Sequence, residues 1–239
     1  QRYQRNNMPL MVNSESTYPL LDKYIPESKI AALTRRFKNK LTFRQDIKSM
    51  YPDFYFEQVT LNHLNHLNHL NKVKLPCILK PTIGTSSVGV HKLSTANDLR
   101  AIHQKILLDV EKSKQYNQSM VDTKEFMVES WIQGDEYAVD GYYNSVGHVT
   151  ILNIYKRAFA SQDDVSDAIY FTGYQVFNES YQHICAFLNT LGKKMDLVNF
   201  SFHIEVRINK DGIYPIEVNP CRFAGAGTAD LAWYAYGFN

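Results

Sequence analysis

The sequence predicts an α+β chain in which antiparallel hairpins alternate with helices. Three observations carry this expectation. First, Asn199 to Pro220 alternates apolar and polar residues strictly, the period of a half-buried strand, and turns back at Lys210-Asp211-Gly212. Second, Leu75 to Lys80 and Val88 to Leu93 are apolar runs joined by a Gly/Ser-rich loop, the layout of a second hairpin. Third, amphipathic stretches separate these strands. Leu99, Ile102, Ile106 and Val110 share one helical face, and Phe177, Tyr181, Ile184 and Leu188 share another.

Taken in order, residues 1 to about 30 hold one short apolar piece, Asn13-Ser14-Glu15-Ser16, and then LLDKYIP. Ala31 to Met50 is basic and helical, and Phe54 to Leu61 is strand-like. Asn62 to Asn71 reads NHLNHLNHLN. Its three histidines drift around a helix by about 60° per step, so a low-complexity surface insertion is favoured over a metal site. Ser94 caps the helix that follows the second hairpin. Glu125 to Ile132 and Glu136 to Tyr143 are strands separated by Gly134-Asp135, and Val149 to Arg157 is a third. Ala160 to Asp167 is a polar loop, Asn178 to Leu191 is helical, and the acidic hairpin follows.

Composition excludes several classes. The chain has 239 residues, 44% hydrophobic, with a net charge of +2. Its basic residues are scattered, which argues against nucleic acid or an anionic membrane as partner. Cys77, Cys185 and Cys221 lie far apart, which fits a reducing, cytoplasmic setting and no disulfide scaffold or zinc site. No apolar run reaches membrane-spanning length. The first residue is not Met, and the chain stops after an aromatic run, so a fragment or a processed chain is expected.

Three segments carry chemistry. In the acidic hairpin, a three-residue loop sets Asn209 opposite Ile213, Glu205 opposite Glu217 and His203 opposite Asn219. Like charges directly opposed across a hairpin are destabilising. A divalent cation converts that repulsion into ligation, and two carboxylates plus an amide oxygen suit Mg²⁺ or Mn²⁺ rather than zinc. The second segment is LKPTIGTSSVG, where a strand delivers Lys80 to a loop of small residues containing Ser86 and Ser87. Such a loop lets backbone N–H groups approach phosphate oxygens, although the order is not that of a Walker loop. The third is VESWIQGDE, in which a strand ends and a connector leads to Glu136. Connector backbone can serve an adenine edge, and Glu136 can accept from ribose hydroxyls.

In this order, LKPTIGTSSVG, VESWIQGDEYAVDG and the EVR…IEVNP hairpin resemble the ATP-grasp superfamily, of the carboxylate–amine or carboxylate–thiol ligase type and L-amino-acid ligase-like. The match spans roughly Lys40 to Asp230. The resemblance implies two α+β subdomains that hold ATP between them. It assigns residues 1–30 to the remnant of an upstream α/β domain, 31–130 to the first subdomain and 131–239 to the second. Lys40 and Lys80 fall on the two phosphate lysines, and Ser86 and Ser87 on the loop covering the phosphates. Glu129, Trp131 and Ile132 fall on the adenine connector and Glu136 on the ribose carboxylate. Glu205, Glu217 and Asn219 fall on the metal ligands.

The motif departs from the family at Asn219-Pro220-Cys221-Arg222, where the arginine has slid by one, and at His203, where D-alanine ligases carry arginine. Arg222 is the catalytic cation expected, with Lys80 and Lys40, to stabilise charge in transit; the second catalytic candidate, Lys156, and Arg157 beside it either reach a phosphate or substrate carboxylate from the preceding strand or are rim charges. The implied reaction is Mg-dependent ligation: ATP activates a small carboxylate as an acyl phosphate, which an amine or thiol attacks. An ATP-binding module or a phosphotransferase without ligase activity is the alternative, and a homodimer is possible.

Overall fold

The computed structural model describes residues 8–60, 74–84, 87–113, 122–159, 169–224, 234–235 and 237. The histidine repeat, Ser86 and the loop at 160–168 lie outside these residues. Contacts within the chain divide it into two compact units: 39–132 with 159–168, and 1–38 with 133–158 and 169–239.

The first of these units is a four-stranded antiparallel sheet in the order β1-β4-β2-β3, with β1 Phe56–Thr60, β2 Cys77–Ile83, β3 His91–Leu93 and β4 Asp122–Ser130. Alternation divides its faces. Val59, Cys77, Leu79, Leu93, Phe126 and Val128 build an apolar core with Ile102 and Ile106 of a long helix, Ala96–Ser113. That helix is capped by Thr95, whose hydroxyl accepts from Asp98 N–H at 3.2 Å while the Asp98 carboxylate accepts from the N–H groups of Ser94 and Thr95. The cap is therefore one residue beyond the expected Ser94. Lys80 and Glu129 emerge on the opposite face.

The expected single helix over Ala31 to Met50 is instead two helices, Lys29–Lys38 and Lys40–Asp46. Asn39 interrupts them with extended backbone, and its side chain accepts from Thr42 N–H at 3.0 Å. An Asn that can cap costs less as a break than as an interior residue. The break divides the chain: Lys29–Lys38 packs on the strand Gly212–Pro220 of the second unit, and Lys40–Asp46 packs on β1 and β2.

The second unit is a five-stranded antiparallel sheet in the order β7-β6-β5-β8-β9. Its strands are β5 Asp135–Tyr143, β6 Val149–Ala158, β7 Ile169–Phe171, β8 Phe200–Asn209 and β9 Gly212–Pro220. Val139, Ile154, Phe202, Ile204, Val206 and Val218 are buried. The helix Tyr174–Met195 packs against β6 and runs about a turn beyond the expected span at each end. Its buried stripe is Val176, Ser180, Ile184, Leu188 and Leu191. Phe177 and Tyr181 are half-buried beside it and stack on each other at 5.0 Å. Among the described residues no helix is long and apolar enough to cross a membrane.

The β8–β9 register differs from expectation at the turn and agrees with it at the carboxylates. Asn209 pairs with Gly212, not Ile213, so the loop is two residues long. A bulge then inserts Ile216, because Val206 pairs with Pro215 while Glu205 pairs with Glu217. The shorter turn and the extra residue cancel. Pro215 has no N–H to give a ladder, and an edge strand beside a bulge is where proline is tolerated.

Gly134, which leads into β5, has φ +124°, and a Cβ there would lie 2.2 Å from the Ile208 carbonyl oxygen. Gly134→Ala is therefore expected to destabilise the protein by about 2 kcal/mol or more, read as a lower urea midpoint. A midpoint equal to that of the parent would mean that this close approach is not made.

Candidate functional site

Both units carry buried charge. In the four-stranded unit, Lys80 lies on β2 with its Nζ 2.7 Å from Glu129 Oε1 of β4. Arg44 arrives from Lys40–Asp46 and donates its Nε to Glu129 Oε2 at 2.7 Å. Its guanidinium stands over the Phe54 ring at 4.7 Å. All three charged groups are only 3% exposed.

Burial alone would push the Glu129 carboxyl up, but Arg44 and Lys80 outweigh it and bring it down to about 2. Burial holds the Lys80 ammonium below its ordinary range; Glu129 counters this, while Arg44 and Lys40 add to it. The cluster is thus rich in positive charge for its depth. Lys40 Nζ donates to the Gly84 carbonyl at 3.2 Å, which ties the second lysine to the start of the Gly/Ser loop. Farther along that loop, Ser87 has φ +56° and Gly89 has φ +74°. A Cβ on Gly89 would come within 2.9 Å of Pro81.

The structure gives Glu129 a different environment from the connector role expected for it. It lies on the sheet face of Lys80 and is enclosed by two cations. In the connector itself, Ser130 N–H donates to Tyr55 O at 3.0 Å and Trp131 N–H to Pro76 O at 3.3 Å. Trp131 stacks under Lys92 Nζ at 4.5 Å, and Ile132 is buried.

In the five-stranded unit, alternation collects the polar side chains on one face. Glu136 and Asp140 of β5, Arg157 of β6, His203, Glu205 and Arg207 of β8, and Glu217 and Asn219 of β9 share it. Glu205 stands directly opposite Glu217, and His203 opposite Asn219. Glu136, the expected ribose carboxylate, pairs through Oε1 with Arg157 and through Oε2 with Arg207 at 2.9 Å. Lys156 is not part of this face. As the neighbour of Arg157 it points to the other side, half-exposed, and pairs with Asp135 at 2.6 Å and with the Tyr137 ring. Arg157 is the β6 cation that shares the face of Glu205.

Two residues absent from the sequence-based site organise this face. Asp140 is fully buried and accepts from His203 Nδ1 at 2.8 Å, Ala224 N–H at 2.9 Å and the Tyr155 hydroxyl at 3.2 Å. A carboxylate on Nδ1 fixes the tautomer with Nε2 available. That nitrogen lies 3.9 Å from Glu205 Oε1. Glu15, from the N-terminal segment, accepts from Arg222 Nε at 3.0 Å and Nη2 at 2.7 Å. The alternation V-D-G in β5 could have disclosed Asp140; nothing local in Ser14-Glu15-Ser16 discloses Glu15.

The hairpin suits a hard divalent cation. The hydrogen-bond partners of Asn219 assign its amide nitrogen to the position 2.8 Å from Glu15 Oε1 and its amide oxygen to the position 3.3 Å from Arg222 Nη2. The reverse orientation would face oxygen to carboxylate and nitrogen to guanidinium, and would gain only a 3.4 Å contact with Glu217. Glu205, Glu217 and Asn219 therefore offer oxygens only. Among the described residues no three His, Cys, Asp or Glu side chains are grouped to hold a metal. Two carboxylates and one amide leave the rest of a coordination shell to water or phosphate, the usual arrangement for Mg²⁺.

A family model of the ATP-grasp domain matches residues 73–230, and the chain belongs to that family. Among solved structures it is similar to an L-amino acid ligase from Bacillus licheniformis, with a TM-score of 0.70 and 19% identity over 95% of this chain and 53% of that one. It is also similar to a D-alanine–D-alanine ligase from Bacillus anthracis, with a TM-score of 0.54 and 17% identity over 77% of this chain and 57% of the other. A biotin carboxylase–β-γ-ATP complex from Campylobacter jejuni gives a TM-score of 0.61 and 14% identity over 86% and 44%. The chain thus spans about half the length of these structures. No curated protein matches it.

Glu129 supplies a prediction about pH. Its folded value of about 2 lies below the ordinary 4.5, so its stabilisation is complete above pH 4.5 and is lost as pH falls towards 2. Glu129→Gln is expected to cost about 3–5 kcal/mol at neutral pH, a gap that closes on acidification through this window. Urea unfolding of both proteins across pH checks it; a gap independent of pH would contradict the assignment.

Proposed function

We propose that this chain carries the nucleotide-binding and phosphoryl-activating site of an ATP-dependent ligase. Its substrates are a small carboxylate and an amine or thiol. The observation that carries the proposal is the direct opposition of Glu205 and Glu217 on a largely buried polar sheet face, with Asn219 adjacent. Two carboxylates are placed against each other at a cost that a cation removes. Family membership and the ligase-like fold support the same reading.

In this reading Lys80 and Lys40 hold phosphate oxygens. Glu129, itself held by Arg44, tethers the Lys80 ammonium, so that little rotamer freedom is lost on binding. Glu205, Glu217 and Asn219 hold Mg²⁺ or Mn²⁺, which when bound neutralises phosphate charge. Arg222 and Arg157, each held by a carboxylate, supply fixed positive charge near the hairpin. The substrate carboxylate oxygen attacks the terminal phosphorus of ATP, and ADP leaves with the electrons of the broken P–O bond. The amine then attacks the acyl carbon, phosphate departs, and the amine proton passes to a base or to water. Both reactants of the first step are anionic, so charge compensation dominates the barrier. Lys156 takes no part, because it faces the other side of the sheet.

A coupled assay tests the reaction. ADP release is expected only when a carboxylate and an amine or thiol are both present. Release with a carboxylate alone would instead indicate a phosphotransferase, and nucleotide binding without release under any pairing would indicate a binding module. Lys80→Ala is expected to weaken ATP-analogue binding by about 10- to 100-fold, the loss of one charge-assisted contact. Calorimetry measures this, and unchanged affinity would displace the phosphate site from β2. Glu217→Gln is expected to lower ADP release at least 100-fold with the circular dichroism spectrum unchanged. Full turnover would remove Glu217 from the site.

A further inference from the structure

We propose that Glu15 is a positioning residue for the acidic hairpin: it fixes the Asn219 amide with the oxygen turned towards Glu217, and it holds Arg222 beside that oxygen. This rests on Glu205, Glu217 and Asn219 being a cation site.

An ionised carboxylate only accepts. Glu15 is 6% exposed, and both of its oxygens face cations, Oε1 the Arg222 guanidinium and Oε2 the Lys38 ammonium. The Asn219 amide atom 2.8 Å from Glu15 Oε1 must then be the nitrogen. That choice leaves the carbonyl oxygen on the side of Arg222 and Glu217. The same Glu15 Oε1 receives both Nε and Nη2 of Arg222, and Oε2 receives Lys38 Nζ. One carboxylate therefore orients an amide and a guanidinium together.

The segment that delivers Glu15 is stitched to the end of the hairpin. Leu10 bridges Phe200, and Ser201 Oγ donates to Leu10 O at 3.3 Å. Val12 N–H donates to Cys221 O at 2.7 Å, and the Tyr18 hydroxyl to Pro220 O at 2.7 Å. Ser14 caps the short 3₁₀ turn Glu15–Thr17 through a 3.2 Å bond from Ser16 N–H. Cys221, between the amide and the arginine, has φ +59°, and its N–H donates to Ser201 O at 2.7 Å. A non-glycine residue in that region needs its surroundings to hold it, and the strap from Leu10 to Tyr18 lies against it. Glu15 falls outside the residues matched by the family, 73–230, so the support comes from a different part of the chain than the ligands.

The test is Mn²⁺ binding, followed by electron paramagnetic resonance, in the full chain and its variants. Glu15→Gln can present an NH₂ group to Asn219 and let the amide turn over. It is expected to weaken Mn²⁺ binding about tenfold or more, as loss of a partner behind a ligand does. Asn219→Asp puts a second carboxylate against Glu15. It is expected to bind Mn²⁺ no better than the parent despite its added charge. Adding Glu15→Gln to Asn219→Asp should then strengthen binding, the reverse of its effect in the parent. A purely structural Glu15 would weaken binding in both backgrounds, which would overturn the inference. So would tighter binding by Asn219→Asp alone, a result that needs no Glu15 variant to fold. Failure of the parent chain to bind Mn²⁺ would instead overturn the cation site itself.

Discussion

The pairing of β8 with β9 is the constraint on which the rest depends. Because side chains alternate with period two, a slip of one residue would send Glu217 and Asn219 to the apolar face. The register holds through two compensating irregularities. The loop is one residue shorter than its sequence suggests, and Ile216 is one residue extra. Gly212, at φ +135°, and Asn209, whose side chain accepts from Asp211 N–H at 2.8 Å, make the short turn. Pro215 sits where an edge strand can spare its N–H. The outcome is a like-charge pair set directly opposite across the hairpin, an arrangement that a bound cation would relieve.

A second pattern recurs in both units. Glu129 is bracketed by Arg44 and Lys80, Glu136 by Arg157 and Arg207, and Glu15 by Lys38 and Arg222. In each case one buried carboxylate immobilises two cations. Buried ion pairs are poor sources of net stability, since desolvation consumes most of the Coulomb gain. What they supply is fixed charge whose orientation need not be organised when an anionic substrate arrives. Chemistry between two anions, ATP and a carboxylate, makes the greatest use of such charge.

The parts of the fold that were legible in sequence were those set by local periodicity. Strict alternation over Phe200–Ile208 disclosed β8, and the spacing of Ile102 and Ile106 disclosed the helix on the four-stranded sheet. Features set by contacts between distant residues were not legible. Glu129 reads as part of a connector until β4 is laid beside β2 and it meets Lys80. Lys156 and Arg157 are indistinguishable as neighbours in a strand, and only pairing with β5 shows which faces Glu205. Asn39 looks like any polar helical residue, but its capping of Thr42 breaks the helix in two. Glu15 is 207 residues from Arg222, and no local pattern could have joined them.

The central claim is that the opposed carboxylates of β8 and β9 bind a divalent cation. Diffraction from crystals grown with Mn²⁺ and a non-hydrolysable ATP analogue, recorded at the manganese edge, tests it most directly. The account predicts an anomalous peak within about 2.1 Å of oxygens from Glu205, Glu217 and Asn219. A bound nucleotide with no peak at the hairpin, or with the two glutamates turned away from each other, would contradict it.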